Sequence, residues 1–268
     1  MSKASGRCRT ASTACGCYNC AMPQHVAIFG ATSAIAAEVA RTYAERGARL
    51  YLVGRSEDKL RPLLEELGSH VAGSALQDFD RTGEANACVL NAIDVLGKLD
   101  VAIIAHGLLG DQLESECSVE AAEQIARTNY LSVQALVIPI ANHLEQQGGG
   151  HLAVLSSVAA ERGRPRNYTY AAAKSALNTY LQGLRSRVYK RGVQIHTIKL
   201  GPVDTPMTET HTKNRLFARA PDVARQIVQV IERGRAEAYV PGYWRPIMFA
   251  VRNLPEFVFQ RVGALSER

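Results

Sequence analysis

Tyr170 and Lys174 end the run Tyr-Ala-Ala-Ala-Lys, and Ser157 precedes Tyr170 by thirteen positions. Residues four apart share one face of a helix, so a phenol and an ammonium are expected side by side. A neighbouring cation stabilises phenolate and draws the phenol pKa down from its usual value of about 10. Such a tyrosine can give a proton to a developing alkoxide or take one from an alcohol. A serine hydroxyl within reach can hold the reacting carbonyl. The chemistry would be the interconversion of a ketone and an alcohol. The Tyr-Lys spacing alone is common on exposed helices, so its setting decides.

That setting is an α/β pattern. The apolar run His151–Leu155, closed by Ser156 and Ser157, reads as a buried parallel strand, and a helix is expected from Asn167 to Arg191. Upstream, strands are expected at His25–Gly30, Arg49–Gly54, Val71–Leu76 and Asp100–Ala105. Helices are expected over Ser33–Gly47, from a Ser56 cap to Leu67, over Thr82–Leu96, and from Ser118 to Gln147 in one stretch. Downstream lie a strand at Val193–Leu200, a helix after Pro221 and a short strand at Ala238–Pro241. Alternating strands and helices point to one doubly wound parallel sheet, a Rossmann-type single domain.

The first strand runs into Gly30-Ala-Thr32-Ser33-Ala34-Ile35-Ala36 and then a helix. A helix N-terminus in this position attracts a pyrophosphate, because its free N–H groups and dipole favour anions. Gly54-Arg55 ends the second strand without an acid to hold a ribose 2′-hydroxyl. A cation there suits a 2′-phosphate, which favours NADPH over NADH.

The rest of the chain narrows the field. At 268 residues, with 47% hydrophobic and 21% charged residues, it suits a globular domain with a sizeable core. The net charge of +6 is scattered, and no nucleic-acid-binding motif accompanies it. No apolar stretch reaches the ~18 residues of a membrane span, so a cytoplasmic protein is expected. Four of the six cysteines crowd the N-terminus, at Cys8, Cys15, Cys17 and Cys20. Their spacing is cramped for zinc, and no metal is expected. Residues 1–21 read as a disordered tail, with Met22 opening the domain. Arg162, Arg164 and Arg166 lie between Ser157 and Tyr170, where they are either phosphate-binding or a solvated loop. Residues 243–268 are apolar, with Arg245, Arg252 and Arg261 interspersed. They suit a helix on the inner surface of a membrane, or a core or subunit-interface helix. A homo-oligomer is expected.

Taken together, Gly30-x-x-x-Ala34-x-Ala36, Asp78, Asn129, Ser157, Tyr170, Lys174 and Gly201-Pro202-x-x-Thr205 resemble the short-chain dehydrogenase/reductase family over about residues 24–240. The resemblance implies an NAD(P)-binding reductase domain over residues 22–242, with the tail from 243 part of it. It makes Tyr170 the acid/base and Lys174 the group that holds the nicotinamide ribose and tunes the phenol. Ser157 would orient the carbonyl, and Asn129 would anchor a proton-relay water. The implied cofactor residues are Gly30, Thr32, Ser33, Ile35, Arg55, Asp78, Tyr170, Lys174, Val203 and Thr205. Two departures stand out: alanines at 34 and 36 replace glycines, and Ile104-Ala-His106-Gly107 replaces the usual Asn-Asn-Ala-Gly. His106 either touches substrate or cofactor, or is a hydrogen-bonded loop residue.

Asp100–Asp111, Glu161-Arg-Gly-Arg164 and the chain from Tyr239 are similar, more narrowly, to keto-reductase subunits of decaprenylphosphoryl-ribose 2′-epimerases. That likeness implies a polyprenyl-phosphate-linked 2-keto-pentose as substrate, a flavin oxidase partner, and Arg162 or Arg164 on the phosphate. The other readings are a soluble carbonyl or 3-oxoacyl reductase and a dinucleotide sensor without chemistry. A sensor would be expected to have lost the tyrosine or the lysine, and both are present.

Overall fold

The computed structural model describes residues 24–209 and 215–262. The N-terminal tail, its cysteines and Met22 lie outside the described residues.

The elements follow the alternation expected from the apolar runs. They are β1 (His25–Phe29), α1 (Ala34–Ala44), β2 (Arg49–Gly54), α2 (Glu57–Leu67), β3 (Val71–Leu76), α3 (Ala85–Leu96) and β4 (Val101–Ile104). Next come α4 (Gln112–Cys117), α5 (Val119–Ala126), α6 (Ser132–Gln147), β5 (Gly150–Ser157), α7 (Tyr168–Val188) and β6 (Val193–Leu200). The chain ends with β7 (Val203–Asp204), β8 (Ala218–Arg219), α8 (Ala220–Glu232), β9 (Glu237–Val240), α9 (Trp244–Asn253) and α10 (Glu256–Phe259). Seven strands form one sheet in the order β3-β2-β1-β4-β5-β6-β9, and every pairing is parallel. The order reverses between β1 and β4, and the crevice at such a switch point is where open α/β sheets bind ligands.

Both faces of a parallel sheet are covered, which is why its strands read as continuous apolar runs. One core packs Val39, Ala40 and Tyr43 of α1 with Val223 and Ile227 of α8 against the sheet. The other packs Val89 of α3, Val137 and Ile140 of α6 and Leu177 and Leu181 of α7 against the opposite face.

Two segments differ from expectation. The helix expected from Ser118 to Gln147 runs on without a gap through α5 and α6, but a π-turn at Arg127–Leu131 joins them. A π-turn inserts one residue without disturbing the apolar face, so hydrophobic period alone does not reveal it. The C-terminal tail is not one amphipathic helix. It stops at Leu254, whose backbone is extended ahead of Pro255, and α10 follows. Trp244, Met248, Val251 and Phe259 form a third small core with Val158, which makes this tail a wall of the domain. Phe249 and Phe257 remain exposed. Among the described residues no helix is long and apolar enough to cross a membrane.

On the neighbouring strands β5 and β6, away from the site, His151 and His196 stack, with Nδ1 of His151 3.0 Å from Nε2 of His196. His196 donates through Nδ1 to the Arg235 carbonyl at 2.7 Å, so its Nε2 must accept from His151. Both rings are therefore neutral. Burial holds His196 down at about 4 and also lowers His151. Unfolded histidine titrates near 6.5, so between these values the unfolded chain binds more protons than the folded one. This contribution to stability is intact above about pH 6.5 and is lost as pH falls toward 4. The urea midpoint is accordingly expected to be lower at pH 5 than at pH 7, and His196→Gln is expected to flatten that difference.

Candidate active site

The C-terminal ends of β1, β4, β5 and β6 open onto one crevice, and the reactive side chains stand around it. Ser157 is the last residue of β5, and its Oγ accepts from the Ala159 amide at 3.1 Å. Tyr170 lies in the first turn of α7, and Lys174 one turn on. The Lys174 side chain is buried, and its Nζ donates to the Leu155 carbonyl at 3.1 Å. That nitrogen sits 5.9 Å from the centre of the Tyr170 ring.

The electrostatics correct one expectation. Burial pushes the Tyr170 phenol up to about 12, and a hydrogen bond from the Ser157 side chain opposes this only in part. Burial also brings the Lys174 ammonium down to about 8. Desolvation therefore outweighs the attraction between the two groups, and both are pushed toward their neutral forms. A phenol held this way keeps its proton near neutral pH, as an acid delivering to an alkoxide must.

Asn129 is fully buried inside the π-turn. Its Nδ2 donates to the carbonyls of Leu108 and Ile125 at 2.6 and 2.8 Å, and its Oδ1 accepts from the Leu108 amide at 3.2 Å. A side-chain carbon on Gly107 would come within 2.9 Å of that Oδ1 and 3.5 Å of Lys174 Nζ. Gly107 is thus the floor between Asn129 and Lys174, and the π-turn aims the amide at it.

On the other side of the switch point, Gly30 has φ of +86°, and a Cβ there would press to 2.6 Å from the His106 amide nitrogen. Only glycine allows that turn and that approach. Ser33 caps α1 by accepting from Ala36 N–H at 3.1 Å. Gly54 lets the Thr32 methyl close over the end of β2, and the exposed Arg55 follows directly. Asp78 is exposed at the end of β3, 3.8 Å from Arg81. His106 stacks on Phe79 at 4.2 Å and lies 2.7 Å from Ser132 Oγ. Ser132 spends its proton on the Thr128 carbonyl, so His106 must donate through Nε2. Its buried Nδ1 is then an acceptor with no partner in the protein. Burial first, then Lys174 and Arg55, hold this ring down at about 3, so it stays neutral. A tight glycine turn, a capped helix N-terminus, an arginine at the end of β2 and an open acceptor fit a phosphorylated dinucleotide.

Beside Tyr170 lies a pocket of about 200 Å³ lined by Ile35, Ser157, Arg164, Tyr170, Val203, Thr205 and Trp244, among others. Val203 and Thr205 thus face the same space as the catalytic group, as does Ile35. Trp244 packs flat on Gly201, where any side chain would collide with the indole. Its place in this wall was not legible from the motifs, because α9 lies far along the chain from them.

The two arginines expected near a substrate phosphate part company. Arg162 turns away from the pocket. It donates to the carbonyls of Val251 and Leu254 at 2.9 and 2.5 Å, pairs with Glu256 at 2.6 Å and lies 3.9 Å over the Phe259 ring. It fastens α9 and α10 to the loop after Ser157. Arg164 alone lines the pocket. A second fastening lies beneath: buried Glu161 pairs with buried Lys199 and, at 3.2 Å, with Arg252 of α9.

Comparison with known proteins agrees with this geometry. The chain is 33% identical over 242 residues to an uncharacterized oxidoreductase of Streptomyces coelicolor, covering 90% of this chain and 96% of that one. It is 32% identical over 240 residues to an uncharacterized oxidoreductase of Mycobacterium tuberculosis, covering 88% and 96%. An actinorhodin polyketide ketoreductase variant, crystallised with NADPH, superposes with a TM-score of 0.74 over 86% of this chain and 98% of that one. At 21% identity that likeness speaks for the fold. A family model for the short chain dehydrogenases matches residues 24–216, and the chain belongs to that family of oxidoreductases.

Proposed function

We propose that the protein reduces a ketone to an alcohol with NADPH. The observation that carries this is the convergence of Ser157, Tyr170, Lys174 and Asn129 on one crevice at the switch point of the sheet. NADPH, when bound, supplies the hydride. Tyr170 then delivers its proton to the carbonyl oxygen, and the Ser157 hydroxyl holds that oxygen in line. Lys174, cationic, offsets the charge left on the phenol, and Asn129 with the Leu108 backbone fixes the floor beside it. The residues that would hold the dinucleotide are Gly30, Thr32, Ser33 and Ile35 at the first turn, with Arg55 on the 2′-phosphate and Asp78 toward the adenine. Tyr170 and Lys174 stand toward the nicotinamide ribose, and Val203 and Thr205 toward the carboxamide.

The preference for NADPH is tested at Arg55. Arg55→Asp replaces a cation suited to the 2′-phosphate with an acceptor suited to a 2′-hydroxyl. The ratio of kcat/KM for NADPH to that for NADH is expected to fall at least tenfold. A preference for NADH in the unaltered protein would refute the assignment of Arg55.

A narrower reading takes the ketone to be a polyprenyl-phosphate-linked 2-keto-pentose supplied by a flavin oxidase. Arg164 in the pocket, and exposed Phe249 beside Arg245 and Arg252, support it: they offer an anion contact and an apolar, cationic surface for a lipid. The alternative is a carbonyl or 3-oxoacyl reductase without lipid-phosphate specificity. Initial rates of NADPH oxidation with the lipid-linked keto sugar against simple 3-oxoacyl esters separate them. Efficient turnover of the esters alone would leave the generic reductase.

A further inference from the structure

The wall of the pocket opposite the cofactor turn is polar in an unusual way. Three of its side chains carry a buried polar atom with no hydrogen-bond partner among the described residues: Arg164 Nε, Asn167 Oδ1 and Trp244 Nε1. Buried polar groups are nearly always satisfied, and three exceptions on one pocket that also holds Tyr170 point to a ligand that satisfies them. Arg164 is the most telling. Burial lowers its pKa, and its nearest electrostatic influence is another cation, Arg166. Among the described residues no carboxylate pairs with it, whereas Arg162, two positions away, is paired with Glu256 and two carbonyls. Arg164 is half-buried with its Nε shut off from water, and a guanidinium so placed without a counter-charge is costly unless an anion arrives. The loop that carries it is fixed by the Arg162 and Glu161 contacts to α9, so the guanidinium is held in place in advance. A pocket of about 200 Å³ admits a compact group at this end and leaves a longer substrate to extend outward.

We propose that the substrate is a ketone bearing an oxyanion, a carboxylate or a phosphate, which Arg164 binds, while Trp244 Nε1 donates a hydrogen bond to the same polar end of the molecule and Asn167 Oδ1 accepts one from a hydroxyl of the ligand. This rests on the reductase reading above and adds the substrate's chemical class to it. It does not require a lipid, since a free keto acid and a lipid-borne phosphate present the same oxygens to a guanidinium.

The test uses the full chain with NADPH and matched pairs of ketones. The pairs are 2-, 3- and 4-oxo acids with their methyl esters, and dihydroxyacetone phosphate with dihydroxyacetone. The unaltered protein is expected to favour at least one anionic member over its neutral partner by more than tenfold in kcat/KM. Arg164→Met is expected to cut that ratio at least tenfold, chiefly through KM, and Arg164→Lys to restore part of it, because a point charge remains but the planar fork is lost. Preference among the anionic members tells carboxylate from phosphate. If the anionic and neutral partners react alike, or if Arg164→Met leaves the ratio where it was, the proposal is overturned while the reductase reading stands. If no ketone is reduced at all, that reading fails, and Arg164 is judged by binding. Calorimetric titration of the NADP⁺-saturated protein with the same anions must then show affinity that the Met variant lacks, or the proposal falls too. Melting temperatures of both variants within 2–3 °C of the parent, roughly 1 kcal/mol, exclude a folding artefact.

Discussion

Tyr170→Phe is expected to lower turnover by roughly 10²–10⁴-fold, the usual contribution of a positioned acid. The change removes one oxygen and leaves the ring that packs in the cleft, so dinucleotide affinity is expected to hold. The pH profile adds an independent check. A phenol pushed up to about 12 stays protonated throughout the neutral range, so it does not limit reduction there. The Lys174 ammonium, brought down to about 8, is lost as pH rises past that value, and with it the charge that stabilises the phenolate formed in reduction. Reduction is therefore expected to decline above about pH 8, and alcohol oxidation, which needs the proton removed from Tyr170, to gain with pH. Initial rates with ketone at saturating NADPH and with alcohol at saturating NADP⁺ measure the two directions. Near-parental turnover in the Phe variant would remove Tyr170 from the mechanism.

The largest expected effect on stability is at Lys199. Its side chain and that of Glu161 are 4% and 5% exposed, and the pair also engages Glu237. Burial disfavours the ammonium, but hydrogen bonds to Glu161 and Glu237 outweigh this and raise its pKa overall. Lys199→Met leaves Glu161 buried with Arg252 and the Tyr239 hydroxyl beside it, and breaking a buried pair in this way costs about 3–5 kcal/mol. That corresponds to a melting temperature roughly 6–15 °C lower for a domain of this size. Changing both residues, Lys199→Met with Glu161→Leu, is expected to recover much of the loss, because no buried charge is then orphaned. A single variant melting within 2 °C of the parent, about 1 kcal/mol or less, would show that the pair contributes little.

Much of this architecture was legible in residue pattern. The bounds of β2, β3 and β6 coincide with the segments expected, and β2, buried from Leu50 to Gly54, announces itself by continuous hydrophobicity. The site was legible because Tyr170 and Lys174 are local to one helix and Ser157 ends the strand before it. What escaped is non-local or aperiodic. The π-turn at Asn129 keeps the apolar face in register, and α4 is too short to show a period. Arg162 and Arg164 have the same side chain two positions apart in a loop without periodicity, so only the fold could show that one faces α9 and the other the pocket. The phenol pKa moved opposite to expectation because pattern reveals a neighbouring charge but not the loss of water around both groups.

The family match ends at residue 216, ahead of Trp244 and the whole α9–α10 segment. The residues proposed for hydride and proton chemistry lie inside that match, while Trp244 beyond it forms one wall of the pocket and is fastened through Arg162 and Arg252. Selection can rewrite that last stretch without touching the catalytic helix or the dinucleotide turn. Taste for substrate and capacity for reaction are thus separately heritable in this chain, so relatives that share Ser157, Tyr170 and Lys174 can differ in diet while remaining the same machine.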